Sequence, residues 1–99
     1  MDELQEARRE IDRVDRQMAQ LFCRRMAAVR QVARYKARCG MAILDTGREE
    51  EVLAHNLAQL PDPQLAPYYE EYLRSQMELS RRYQAQLLAA EQPEKKDGL

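Results

Sequence analysis

Ninety-nine residues, 44% of them hydrophobic, with only three glycines and four prolines, describe one small domain with enough apolar material for a core. A net charge of −1 excludes a general polyanion binder, although seven Lys or Arg and no Asp or Glu fall between Arg16 and Arg38. Two cysteines (Cys23 and Cys39) and a single histidine, His55, are too few and wrongly spaced for a structural zinc site or a disulfide framework. The basic run lacks interleaved aromatics and any nucleic-acid reader motif, so it reads as a solvated face. The start, Met1-Asp2-Glu3-Leu4, is charged rather than signal-like, and no apolar run approaches membrane-spanning length. The chain is expected to be cytoplasmic and soluble, with no nucleic acid and no membrane among its partners.

The first predicted helix runs from Asp2 or Glu3 to Arg38 with no Gly or Pro inside it, and Gly40 supplies its stop. Its apolar stripe is formed by adjacent rows: Leu4, Ile11, Met18, Val32; Ala7, Val14, Leu21, Ala28, Tyr35; and Phe22 with Val29. At about 1.5 Å per residue it is roughly 50 Å long, whereas a compact domain of this size has a radius of gyration near 13 Å. Nothing else in the chain is long enough to cover such a rod. The expected architecture is therefore all-α, three helices forming an intertwined homodimer.

Residues 40–45 read as a short loop. Thr46-Gly47-Arg48-Glu49 then matches a capping box, with Thr46 as N-cap and Glu49 three residues on. A second helix is predicted to about Leu60, with Val52, Leu53, Asn56, Leu57 and Leu60 inward, until Pro61-Asp62-Pro63 breaks it. The third helix should start near Gln64, accept Pro67 in its first turn, and continue to about Ala90. Residues 1–90 thus form one helical domain, and 91–99, charged and containing Pro93 and Gly98, read as a flexible tail.

Polar residues stand where this pattern calls for apolar ones. Arg25 lies in the most apolar part of the first stripe. In the third helix, Leu73, Met77, Ser80, Gln84, Leu87 and Leu88 share a stripe whose centre is a hydroxyl and an amide. Burying a cation or an amide costs several kcal/mol unless it is paired, so these positions point to a partner, and a non-protein partner here would be an anion. Arg25 and Lys36 are about 16 Å apart along the helix axis, close enough for two long side chains to grip one small ligand. Arg8 is roughly 25 Å from Arg25 on the same rod. If it acts, it acts on another subunit, which an antiparallel dimer would allow.

The ordered set Arg8 … Ile11 … Val14-Asp15 … Leu21 … Arg25 … Lys36 … Asp45-x-x-Arg48-Glu49 … Ser80-x-x-x-Gln84 resembles the all-helical, type II class of chorismate mutases over nearly the whole chain. That resemblance implies an isomerase converting chorismate to prephenate, on the way to phenylalanine and tyrosine, without metal, cofactor or covalent nucleophile. It implies that Arg25 and the other subunit's Arg8 bind the two substrate carboxylates. Lys36 and Gln84 would be the catalytic donors to the breaking ether oxygen. Arg48 would support the charge arrangement, Ser80 would assist a carboxylate, and Glu49 and the backbone near Asp45 would hold the ring hydroxyl. Plainer roles exist beside these: a cap for Glu49, a turn for Asp45, a surface pair with Glu51 or Glu78 for Arg48, and a bond back to its own helix for Ser80. Asp15 reads as structural, and Tyr68, Tyr69, Tyr72 and Tyr83 as packing and rim residues. Two other functions fit the helical pattern: an isochorismate pyruvate lyase of the same fold, and a non-catalytic dimerisation or regulatory module. Intact Asp45, Arg48 and Glu49 favour the mutase.

Overall fold

Asp2 starts the first helix. Its carboxylate accepts the backbone N–H of Gln5 at 2.8 Å, and Glu3 and Glu6 in the first turn complement the positive end of the helix. The helix, α1, then runs unbroken over Glu3–Arg38, 36 residues. It ends at Gly40, whose φ of 66° no residue with a Cβ adopts freely. There the N–H of Met41 reaches back to the Lys36 carbonyl at 2.8 Å and that of Gly40 to Ala37 at 3.4 Å. This pair of bonds satisfies carbonyls that would otherwise be orphaned at the helix end.

The computed structural model describes residues 2–90, and the predicted tail, 91–99, lies outside them. Beyond α1 are α2 (Thr46–Ala58), a 3-10 turn at Pro63–Leu65, and α3 (Ala66–Ala90), with no strand among the described residues. The start of α2 differs from the capping-box expectation. Asp45, not Thr46, is the N-cap: its carboxylate accepts the N–H of Arg48 at 3.0 Å. Thr46 is the first helical residue and Glu49 lies one position beyond the box. A carboxylate caps better than a hydroxyl with a bulky β-branch, and it sits at the helix's positive end. The inward face of α2 is as expected, with Val52, Leu53, Asn56 and Leu57 partly covered; the helix stops at Ala58, short of the expected Leu60, which is also partly covered. Asp62 caps the short turn by accepting from the N–H of Gln64 at 3.0 Å.

α3 packs against both other helices. It runs in the same sense as α1: Arg25 Nη1 donates to Ser80 Oγ at 2.6 Å, and farther along both helices Arg30 donates to the Tyr83 hydroxyl at 2.8 and 3.1 Å. The buried apolar residues are Ala33 on α1 and Leu73 and Met77 on α3. Ala33, fully buried, has the small side chain that a close helix crossing needs.

The core is thinner than the composition implies. The radius of gyration is 17.9 Å, and the backbone measures 64 × 30 × 17 Å. Leu4, Ile11, Leu21 and Phe22 remain about half exposed along α1, at 55, 57, 56 and 49%. The apolar fraction is present in the chain, but much of it faces outward along a rod that one chain cannot enclose.

Replacing Gly40 by Ala tests the turn. An added Cβ meets nothing within 4 Å, so the expected loss of about 1–2 kcal/mol comes from the left-handed backbone alone. Urea unfolding at fixed protein concentration measures it, and Gly40→Asn should lose less. Equal losses in both variants would contradict this origin.

Candidate active site

Three stripes converge on one cavity of about 200 Å³. α1 contributes Arg25, Val29, Val32 and Lys36, spaced four, three and four residues apart, which places them on one face. The cap and first turns of α2 contribute Asp45, Arg48, Glu49 and Val52, and the loop before them Ile43. α3 contributes Met77, Ser80, Arg81 and Gln84. The valines and Met77 form the apolar wall, and the charged groups sit around it. Seven of the eight expected site residues therefore line one space. Arg8 does not: it lies on an exposed stretch of α1, 17 positions from Arg25.

Each polar group is held differently. Ser80 is buried and its hydroxyl donates to the Gln76 carbonyl at 2.9 Å, the bond back to its own helix, while its oxygen accepts from Arg25. That double contact orients the guanidinium through a neutral group and leaves its charge uncompensated. Lys36 Nζ donates to the Ile43 carbonyl at 2.8 Å, so the loop closing α1 also aims the ammonium. Among the described residues, neither Arg25 nor Lys36 pairs with a carboxylate. Arg48 does, at 3.4 Å from Glu51, but that pair is well exposed and contributes little.

Gln84 is 6% exposed, and its Oε1 is buried with no hydrogen-bond partner among the described residues. A buried, unsatisfied amide oxygen is costly. A half-turn of the terminal torsion exchanges that oxygen for the NH₂, so the same position can present donor or acceptor to the cavity.

Arg81 is the site residue that the sequence reading missed. Its Nη1 donates to both oxygens of Glu49 at 2.6 Å. The signal was present: Met77, Arg81, Gln84 and Leu88 are spaced four, three and four apart, so Arg81 interrupts the same stripe as Gln84. Next to Arg82, it passed for one of two surface cations.

A larger groove, about 600 Å³, runs between Met18, Leu21 and Phe22 of α1 and Leu65, Tyr68, Tyr69 and Tyr72 near the start of α3. Its lining is mainly aromatic and aliphatic, with Arg25 at its boundary, and it continues the open apolar stripe of α1. The tyrosines thus sit at packing and rim positions, Tyr69 and Tyr72 stacked at 6.1 Å between centroids.

A family model described as chorismate mutase type II matches residues 7–85 of the chain. The matched stretch includes every expected site residue from Arg8 to Gln84. No match is found among curated proteins or among solved structures.

The cost of the unsatisfied amide is measurable. Gln84→Met keeps the length of the side chain while removing the buried oxygen, and should raise Tm by several degrees. The reason is that relieving about 1 kcal/mol in a domain this size moves Tm by about 4–8 °C. A lowered melting temperature would mean that the fold itself depends on the amide.

Proposed function

The chain belongs to the chorismate mutase type II family, and from that premise we propose that it converts chorismate to prephenate. The observation that carries the reading is the pair of cations without acid partners, Arg25 and Lys36, flanking a buried amide in a cavity with an apolar wall. Two uncompensated positive charges call for a dianion. Chorismate carries two carboxylates, and its rearrangement is intramolecular. The ether C–O bond breaks while the enolpyruvyl methylene bonds to the ring, electrons shift around six atoms, and no proton changes place.

Catalysis of such a reaction has two components. The flexible side chain must be folded over the ring, which is an orientation effect. Negative charge that grows on the ether oxygen must meet donors already in place. Arg25, fixed by Ser80, grips one carboxylate in the paired fashion suited to guanidinium. Lys36 reaches a carboxylate and the ether oxygen, and Gln84 donates the second hydrogen bond to that oxygen. Arg48 reinforces the positive field. Glu49 and the backbone near Asp45 receive the ring hydroxyl.

Arg8 completes the site from a second copy. Two chains paired antiparallel along their exposed α1 stripes would cover Leu4, Ile11 and Leu21 and carry Arg8 of the partner subunit to the end of each cavity. A symmetric dimer of this kind has two equivalent sites, each made of one chain's Arg25, Lys36 and Gln84 and the other's Arg8.

Purified protein mixed with chorismate should form prephenate, identified by NMR. Lys36→Ala should lower kcat by about a hundred-fold or more, the loss that follows removal of an oxyanion donor. Pyruvate release from isochorismate with chorismate untouched would indicate the lyase instead. Inertness toward both would leave a binding module.

The shared site has its own signature. Arg8→Ala and Lys36→Ala chains, each nearly inactive, should regain about a quarter of wild-type activity when unfolded and refolded together in equal amounts. Half of the dimers are then mixed, and each mixed dimer has one intact site. Failure to regain activity, with mixed dimers present, would remove Arg8 from the partner's site.

A further inference from the structure

The closest ion pair among the described residues lies inside the cavity. Arg81 Nη1 meets both Glu49 oxygens at 2.6 Å, with the side chains 33 and 26% exposed. Three others are more open: Arg13–Glu10, Arg48–Glu51 and Arg74–Glu70 all link residues three or four apart on one helix surface. Arg81–Glu49 instead ties α3 to the first turns of α2, and both partners face the site.

A carboxylate beside a dianion site is a problem on its own. Without a counter-cation, Glu49 would repel both carboxylates of the ligand, in a space where charge is screened less than in bulk water. Arg81 removes that repulsion while leaving the function of the carboxylate intact. Each oxygen has two acceptor positions, so one bond to Arg81 leaves each oxygen another for a hydroxyl. The contact to both oxygens also fixes the rotation of the carboxylate plane, which a flexible Glu side chain would otherwise have to lose on binding.

We propose that Arg81 is a positioning residue, holding the Glu49 carboxylate ready to accept the substrate's ring hydroxyl and making a carboxylate tolerable beside a dianion. The inference rests on the chorismate mutase reading given above. Arg81 acts through Glu49 and not on the ligand: its Nη1 is committed to Glu49, whereas Arg25 and Lys36 face the same space without acid partners. Its contribution falls on binding, because the hydroxyl's own bonds neither break nor form in the rearrangement.

The test is a double-mutant cycle on chorismate turnover, with kcat and KM measured separately for wild type, Arg81→Met, Glu49→Gln and the double variant. Arg81→Met should raise KM about ten-fold with a smaller change in kcat, and the same replacement in the Glu49→Gln background should change KM less than about two-fold. Arg81→Lys should recover part of the loss, and it keeps the question open to measurement if Arg81→Met does not fold. A dicarboxylate analogue lacking the ring hydroxyl should inhibit Arg81→Lys and wild type more nearly alike than chorismate binds them. Equal KM effects of Arg81→Met in both backgrounds would overturn the inference by making Arg81 a direct ligand contact or a purely structural one. So would full activity in both Arg81 variants. Absence of chorismate turnover by the wild-type chain would overturn the function and this inference together. Turnover with an additive cycle would overturn this inference alone.

Discussion

A 36-residue helix cannot be enclosed by the shorter helices that follow it, of 13 and 25 residues. α3 covers one face of the C-terminal half of α1, where Ala33, Leu73 and Met77 are buried, and little is left for the other half. The elongated shape, the open groove beside Phe22 and the position of the cavity all follow from that mismatch. Because α1 is one unbroken helix, residues at either end are held apart along a single rod. Arg8 is therefore kept away from its own chain's cavity as firmly as Arg25 and Lys36 are kept beside it. In the proposed antiparallel dimer, the same rigidity would carry Arg8 to the other chain's cavity.

Within the cavity, stability and chemistry pull in opposite directions. A fold optimised only for burial would place apolar side chains at 25 and 84, since buried charges and amides seldom repay their desolvation. Here Arg25 is steadied by a hydroxyl and Lys36 by a backbone carbonyl. Both contacts fix direction without cancelling charge. The one cation in the cavity that is neutralised at close range is Arg81, and the group that neutralises it is the carboxylate the site would otherwise have to tolerate. The polar residues thus divide into those oriented but left charged, and a pair whose charges offset each other.

Much of this was legible from periodicity. An uninterrupted run between Asp2 and Gly40, with a glycine as its stop, sets the length of α1, and length alone implies the uncovered stripe. Arg25, Ser80 and Gln84 stood out because each breaks an apolar row. Two features were obscured. At the start of α2, Asp45, Thr46 and Glu49 offer competing caps, and the choice depends on local backbone geometry: ψ of 92° at Asp45 turns its carboxylate onto the Arg48 N–H. Arg81 was hidden by its neighbour. Two adjacent arginines point about 100° apart on a helix, and only the contact with Glu49, 32 residues earlier in the chain, distinguishes the one facing inward. Pairing across elements is set by tertiary packing, which a one-dimensional pattern does not record.

The proposed chemistry would also explain why so slight a fold suffices. A rearrangement within one molecule asks for no relay of protons and no covalent partner, only a shape that folds the substrate and donors aimed at one oxygen. An amide is well matched to the second task. A carboxylic acid at position 84 would have to be kept protonated in order to donate, against the usual preference of a carboxyl at neutral pH. An amide donates without titrating. The cost is a buried group whose oxygen finds no partner in the protein, and that cost falls on the fold rather than on the reaction. In the proposed dimer that cost would be offset, because pairing along α1 would bury apolar surface that a single chain leaves open.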